Sequence, residues 1–161
     1  CGEAQLAELA DGSILMNCRN PKDVDGGRQR GRSISRDGGV TWTQIQIDTH
    51  TPGTSCMGSI ISHPTNRSIV YFSHPTNMTE RRGGAVFRSN DGGLTWSKPL
   101  PIGDGSATQF AYSSLSYLPA AAGSGAPAGD RLGLTFETWA EGCESYAPAC
   151  AIDFVTVPAA W

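Results

Sequence analysis

No apolar run in this chain approaches the ~18–20 residues that a membrane-spanning helix requires, so no transmembrane segment is expected in it. Charge is scarce as well: charged residues are 17 % of the 161, with a formal net charge of −3. A nucleic-acid surface needs a clustered basic excess, which is missing, so nucleic acid is excluded as a partner. A small anionic ligand needs only a local group of Arg and stays open. His63 and His74 each precede Pro and make no ligand spacing with Cys, so both are expected in turns and no metal or other cofactor is implied. No phosphate-binding Gly loop, nucleophile-elbow Ser or Cys-x-x-Cys occurs. An initiator Met and a leader-like segment are also missing, and the abrupt start at Cys1 reads as a later piece of a longer polypeptide.

What the chain does have is Gly (20) and Pro (10), clustered between short apolar stretches, which favours many short strands joined by turns. The length suffices for one domain with a core, and residues 1–161 are read as one unit. The octapeptide from Ser35 to Trp42 returns as Ser89 to Trp96, the two Asp residues being 91 − 37 = 54 apart. That period suits a four-stranded propeller blade better than a hairpin. Asp-Gly-Gly is a tight-turn signal, with Asp37 and Asp91 expected to bind turn amides and the Trp to pack beneath. A strand enters each turn (Gly31 to Ser35, Ala85 to Ser89) and a Thr-Trp strand is expected to leave it. Further strands are expected over Ser13 to Cys18, Met57 to Ser62, Ser68 to Ser73, Tyr112 to Tyr117, Arg131 to Phe136 and Ala151 to Val157. Glu3 to Ala10 has helical spacing but is cut off by Asp11-Gly12. Pro119 to Asp130 reads as a low-complexity surface loop. Five Cys do not close a disulfide framework; Cys143 and Cys150 are equally well a bridge or two thiols, and Cys18 reads as packing. The Arg residues at 28, 30, 32 and 36 read as mostly solvated. Two glycosylation sequons, at Asn66 and Asn77, favour a secreted or lysosomal compartment, although the pattern is short enough to arise by chance.

The repeated Ser-x-Asp-x-Gly-x-x-Trp pattern resembles the Asp box of sialidases. Around it come Cys1 to Gln5, then "LADGSILMNCRN" ending at Asn20, "FSHPT" at Phe72 to Thr76, "FAYSSLSYLP" at Phe110 to Pro119 and "LTFE" at Leu134 to Glu137, in the order that family shows. The resemblance covers nearly the whole chain. It implies an all-β fold, a six-bladed β-propeller, of which this chain supplies about the last three blades. It implies an exo-α-sialidase acting on sialylated glycoproteins, oligosaccharides or gangliosides.

On that resemblance Tyr112 matches the nucleophile and Glu3 the carboxylate that pairs with it. Sialidases are the known Tyr-nucleophile exception among glycosidases. The physical reason is that the anomeric carbon bears a carboxylate, which repels an anionic nucleophile, while a neutral phenol needs a neighbouring base. Arg19 and Arg81 match two members of the arginine triad that grips the substrate carboxylate; a planar, permanently charged fork suits that task. Arg82 competes with Arg81, but Arg81 lies fifteen residues before Trp96, as the family spacing has it. Glu137 resembles the carboxylate that orients the first triad arginine. That arginine, in an Arg-Ile-Pro motif, and the Asp acid/base are not in this chain, so little turnover is expected from it alone. Thr79 stands where some relatives carry a stacking aromatic, which favours hydrolysis over transfer. Two other readings stay open: a non-catalytic Asp-box propeller that binds glycan or protein, and a propeller glycosidase of neutral sugars.

Overall fold

The computed structural model describes residues 1–19, 29–105, 108–120, 129–139 and 150–161. Within them the chain is all β and forms three antiparallel sheets. The first contains β1 (Gly2–Glu8), β2 (Ile14–Arg19), β3 (Arg30–Ser35) and β4 (Gln46–Asp48), paired in that order. The second contains β5 (Ser59–Ser62), β6 (Val70–Pro75), β7 (Gly84–Ser89) and β8 (Leu100–Pro101), again in sequence order. The third contains β9 (Ser113–Leu118), β10 (Arg131–Trp139) and β11 (Cys150–Pro158), with β10 in the middle. Serial four-stranded antiparallel sheets are propeller blades.

Strand alternation explains how the blades stack. Along β6, Val70 and Phe72 face the first sheet and pack with its Ala7 and Leu15 and with Ile60 and Phe87 of their own sheet. Tyr71, between them, faces the third sheet and packs with Val86, Leu115, Leu132 and Leu134. The period of two therefore turns one strand into the wall of two cores, and every residue of β6 is buried. Polar side chains cross between blades as well: Gln5 Oε1 accepts from the Ile60 amide at 3.3 Å, and the Ser73 and Ser113 hydroxyls meet at 2.8 Å. The outer faces are less covered, with Leu6 53 %, Ile152 75 % and Phe154 62 % exposed.

The Asp boxes close β3 to β4 and β7 to β8. Asp91 Oδ1 accepts from the amides of Leu94 (3.1 Å) and Thr95 (2.8 Å), Oδ2 accepts from the Thr95 hydroxyl (2.6 Å), and Ser89 Oγ accepts from the Gly93 amide (2.8 Å). The first box repeats the core of this circuit through Asp37, Thr41, Ser35 and Gly39. Gly39 and Gly93 sit at φ of +94° and +84°, where a side chain would be strained.

Several expectations are corrected. The strand after the first box begins at Gln46, not at Thr41-Trp42, because Thr41 is spent on the Asp37 carboxylate. Glu3 to Ala10, whose helical spacing Asp11-Gly12 cuts off, forms no helix: Gly2–Glu8 is a strand, since β2 offers it a ladder through Glu8↔Ile14 and Leu6↔Met16. Cys18 is bridged to Cys1, with Cα atoms 5.6 Å apart. His74 is not in a turn but inside β6 and 1 % exposed. Arg30 is not solvated but 2 % exposed. The Cys143 to Cys150 alternative and most of the loop from Pro119 to Asp130 lie outside the described residues.

Candidate functional site

Register sorts the strand ends into two faces. Glu8↔Ile14↔Ser35 and Val70↔Ser89 put the Asp boxes at one end of the blades. Gly2↔Arg19↔Arg30, Pro75↔Gly84 and Phe136↔Ser113 mark the other end. Glu3, Arg19, Arg81, Tyr112 and Glu137 all belong to this second end, although they come from three sheets.

Glu3 reaches the site through a backbone irregularity. The β1–β2 register shifts between Gly2 and Gln5, and Glu3 has φ of +43°, the one positive value at a non-Gly residue among the described residues. A bulge re-aims the side chain it carries, and strain of this kind gathers where function needs a direction the ladder would not supply. The Glu3 carboxylate accepts from the Tyr112 hydroxyl through Oε1 and from Arg19 Nη1 at 2.8 Å through Oε2. Arg19 leaves the end of β2; its Nε donates to Ser55 Oγ at 2.8 Å, and Nη1 also lies 3.4 Å from the Tyr112 oxygen. Its side chain is 23 % exposed and that of Glu3 33 %, so both remain within reach of a ligand.

Arg81 lies before β7, its Cζ 5.2 Å from the centroid of the Tyr112 ring, a cation–π geometry. Arg82 pairs with Glu80 at 3.1 Å, so of the two neighbours it is Arg81 that stands over the tyrosine. Glu137 is joined to Tyr112 by backbone: its amide donates to the Tyr112 carbonyl at 2.9 Å, and its carbonyl accepts from the Ala111 amide at 3.0 Å. The two residues share a cleft of about 200 Å³ with Met57, Thr135, Phe136 and Ile152. A cavity of about 300 Å³ at the Asp-box end is lined by Leu15, Arg32, Ile34 and Leu94. Arginines around it are engaged, Arg36 with Asp11 and Arg32 with the Gly93 carbonyl. Among the described residues no group of His, Cys, Asp and Glu is arranged to hold a metal ion.

The electrostatics follow from these contacts. The Glu3 carboxylate, as acceptor, pushes the Tyr112 phenol above its ordinary value, and partial burial adds to this against the charges of Arg19 and Arg81. Burial acts to raise Glu3, but the hydrogen bonds from Arg19 and Tyr112, with the charges of Arg19 and Arg81, outweigh it and hold Glu3 below the usual carboxylate range. The free site is therefore a carboxylate, a neutral phenol and two guanidiniums.

Sequence reasoning missed the layer beneath. Ser55 is buried and bonded to Arg19, Cys56 is buried with its thiol pushed up to about 11 by desolvation, and Arg30 is pulled down to about 10 by burial. His74 is held well below its ordinary value by burial and by the Arg30 charge, and is neutral. The sequence carried no signal for Arg30, which lies one residue before the expected strand Gly31 to Ser35 and in the structure is the first residue of β3.

Three blades with a tyrosine, a carboxylate and two arginines gathered at one end define a portion of an enzyme-like β-propeller. A family model described as a BNR repeat-like domain matches residues 1–122. A sialidase of Bacteroides fragilis (strain YCH46) is 30% identical over 122 residues, which cover 72% of this chain and 22% of the relative. A sialidase of Micromonospora viridifaciens is 30% identical over 124 residues, covering 73% of this chain and 18% of the relative. The chain thus spans about a fifth of the length of these curated relatives. Among solved structures, a Hadza microbial sialidase superposes with a TM-score of 0.64 at 27% identity, over 84% of this chain and 25% of that one. The NanB sialidase from Streptococcus pneumoniae gives a TM-score of 0.73 at 22% identity, over 97% of this chain and 23% of that one, and shows the shared fold. This chain belongs to the BNR repeat-like family, has sialidases among its relatives, and forms part of a sialidase-type β-propeller.

Proposed function

We propose that this chain is the C-terminal half of a sialidase catalytic propeller, residues 1–161 forming its last three blades. The whole protein hydrolyses terminal α-linked sialic acid from glycoproteins, oligosaccharides or gangliosides, with retention. The observation that carries this reading is the Tyr112 hydroxyl bonded to the Glu3 carboxylate, which Arg19 also holds.

Tyr112 Oη attacks the anomeric carbon and Glu3 takes its proton as the bond forms. The proton rests on the phenol in the free site, because Glu3 is held low and Tyr112 high. It moves only when bonding to carbon makes the phenol more acidic. Arg19 and Arg81 hold the substrate carboxylate and offset negative charge that develops on the tyrosine oxygen. Glu137, beside Tyr112, orients a further arginine contributed by another part of the propeller, which also supplies the acid that protonates the departing oxygen. Water then attacks the same carbon, its proton passing to the carboxylate that served as acid; the bond to Tyr112 Oη breaks, Glu3 returns its proton to the phenol, and the two displacements together give retention. A propeller for neutral sugars has no use for two guanidiniums around one phenol.

The test is hydrolysis of a fluorogenic α-sialoside by the whole protein and by Tyr112→Phe. Turnover that falls by about 10²–10⁴-fold in the variant supports the assignment. A folded wild type that neither cleaves the substrate nor binds a planar sialic-acid mimic overturns it.

A further inference from the structure

Arg30 is the largest charged side chain in the interior and has no ion pair among the described residues. Taking a guanidinium out of water without a counter-ion is costly, so its contacts have to be accounted for. Nε donates to Asn17 Oδ1 at 2.8 Å and Nη1 to the Cys56 carbonyl at 2.5 Å. The group lies 5.5 Å over the Phe72 ring and 3.5 Å from the neutral His74 ring nitrogen. Nη2 has no hydrogen-bond partner. An Asn and a backbone carbonyl are a poor return for a buried charge, unless the carbonyl is where it is needed.

The carbonyl belongs to Cys56, the residue after Ser55, and Ser55 Oγ is the acceptor for Arg19 Nε. Arg19 and Arg30 are register partners across β2 and β3, and Asn17 is two residues before Arg19. Directly opposed residues, and residues two apart, share one sheet face. The contacts therefore run along one face: Asn17 to Arg30, Arg30 to the Cys56 carbonyl, and the adjoining Ser55 to Arg19. The segment carrying Ser55 is in no strand, so no ladder holds it.

We propose that Arg30 is a positioning residue for the sialic-acid site: it pins the Cys56 carbonyl, one residue beyond Ser55, from below, so that Ser55 Oγ occupies Arg19 Nε and leaves the outer nitrogens of Arg19 aimed at Glu3, Tyr112 and the substrate carboxylate. This rests on the sialidase reading. A guanidinium serves because it reaches two acceptors at fixed angles; an ammonium at that position keeps the charge but not the fork.

The experiment uses the whole protein in four variants, Arg30→Met, Arg30→Lys, Ser55→Ala and the Arg30→Met/Ser55→Ala double, with two readouts. The first is solvent exchange of the Arg19 Nε–H proton in protein labelled with ¹⁵N-arginine, its signal identified by its loss in Arg19→Lys. The second is KM and kcat for the α-sialoside. Expected are an exchange rate at least about ten-fold faster in every variant, and a KM raised by about ten-fold with kcat changed far less, the signature of weakened substrate binding. The double variant is expected to be no worse than the worse single, since both changes cut one run of contacts. Unchanged exchange and KM in folded Arg30→Met, full rescue by Arg30→Lys, or effects that multiply in the double would overturn the proposal. If Arg30→Met does not fold, Arg30→Lys and Ser55→Ala carry the same comparison. If the wild type shows no turnover, the sialidase reading falls, while the exchange measurement still decides whether Arg30 positions Arg19.

Discussion

At the scale of single residues, the site is a set of charges whose distances decide their protonation. The Tyr112 phenol is raised chiefly because Glu3 accepts its proton. Removing the anion while keeping the shape therefore has a definite sign. In Glu3→Gln the upward push is lost, the charges of Arg19 and Arg81 remain, and the phenol titrates at lower pH than in the wild type. Ultraviolet difference titration against Tyr112→Phe measures this; an unchanged or higher value contradicts the contact. Which residues would gather here was legible in the sequence as far as motif order and spacing reached, since Glu3, Arg19 and Tyr112 stand in the matching segments, Arg81 stands fifteen residues before Trp96, and the four meet in space. Burial was not legible: Arg30 reads like Arg32 and Arg36 along the same strand. Only the packing of Asn17, Cys56 and Phe72 around it separates an interior guanidinium from two partly or fully exposed ones.

Among elements, β1 shows the limits of pattern reading. Its outward residues are exposed, only Ala7 is buried, and no alternation of the kind that marks β9 is visible in its letters. What makes it a strand is β2 alongside and a covalent tie from Cys1 to Cys18 across 17 residues. Closing a loop of that length removes unfolded-state entropy worth about 3 kcal/mol. The paired Cys1→Ser/Cys18→Ser variant is expected to lose about 2–4 kcal/mol in urea unfolding. A loss within a few tenths of a kcal/mol, in oxidised wild type whose bridge is verified, would argue against a bonded pair. Three strands of the second sheet were read to within two residues of their ends, because Val, Tyr, Phe and Ile bounded by Pro, Asn and Asp leave little choice, whereas the strand expected at Thr95-Trp96 begins only at Leu100, Thr95 being bonded to the Asp91 carboxylate. His74 was misplaced because the His-Pro pair reads as a turn, while the ladder from His74 to Ala85 continues through it.

For the molecule as a whole, the three blades are not equivalent. The second is covered on both faces, while the first and third each turn one face outward, with Leu6 on one and Ile152 and Phe154 on the other. Opening the middle sheet breaks two cores; opening an outer one breaks a single core. Amide exchange is expected to be slowest in β6 and β7 and faster in β1 and β11, by about ten-fold or more. Equal protection across the three sheets would mean that the outer faces are covered as fully as the middle one. The 54-residue period made the blade plan readable before any coordinates, whereas the gathering of five residues from three sheets at one end depends on register, which no local pattern carries.

The Asp boxes lead to a conclusion about how such a chain grows. Most of the hydrogen bonds of each turn end inside its own eight residues: hydroxyl to carboxylate, amide to carboxylate, amide to hydroxyl. The positions that differ between the copies, Arg36 against Asn90 and Val40 against Leu94, all lie on the surface. Trp42 bonds to its own Gly39 carbonyl, and the contacts that leave the units are few: Arg36 to Asp11 from the first copy, and from the second Trp96 to Asp48, the Gly92 amide to the Ser68 carbonyl, and the Gly93 carbonyl accepting from Arg32. A part that completes its own bonding can be copied into a new setting without asking anything of it, while each strand must be refitted to whatever lies beside it. The two octapeptides share six of their eight letters where most of the bonding is internal, while the strands between them, each fitted to a different neighbour, share no such spelling.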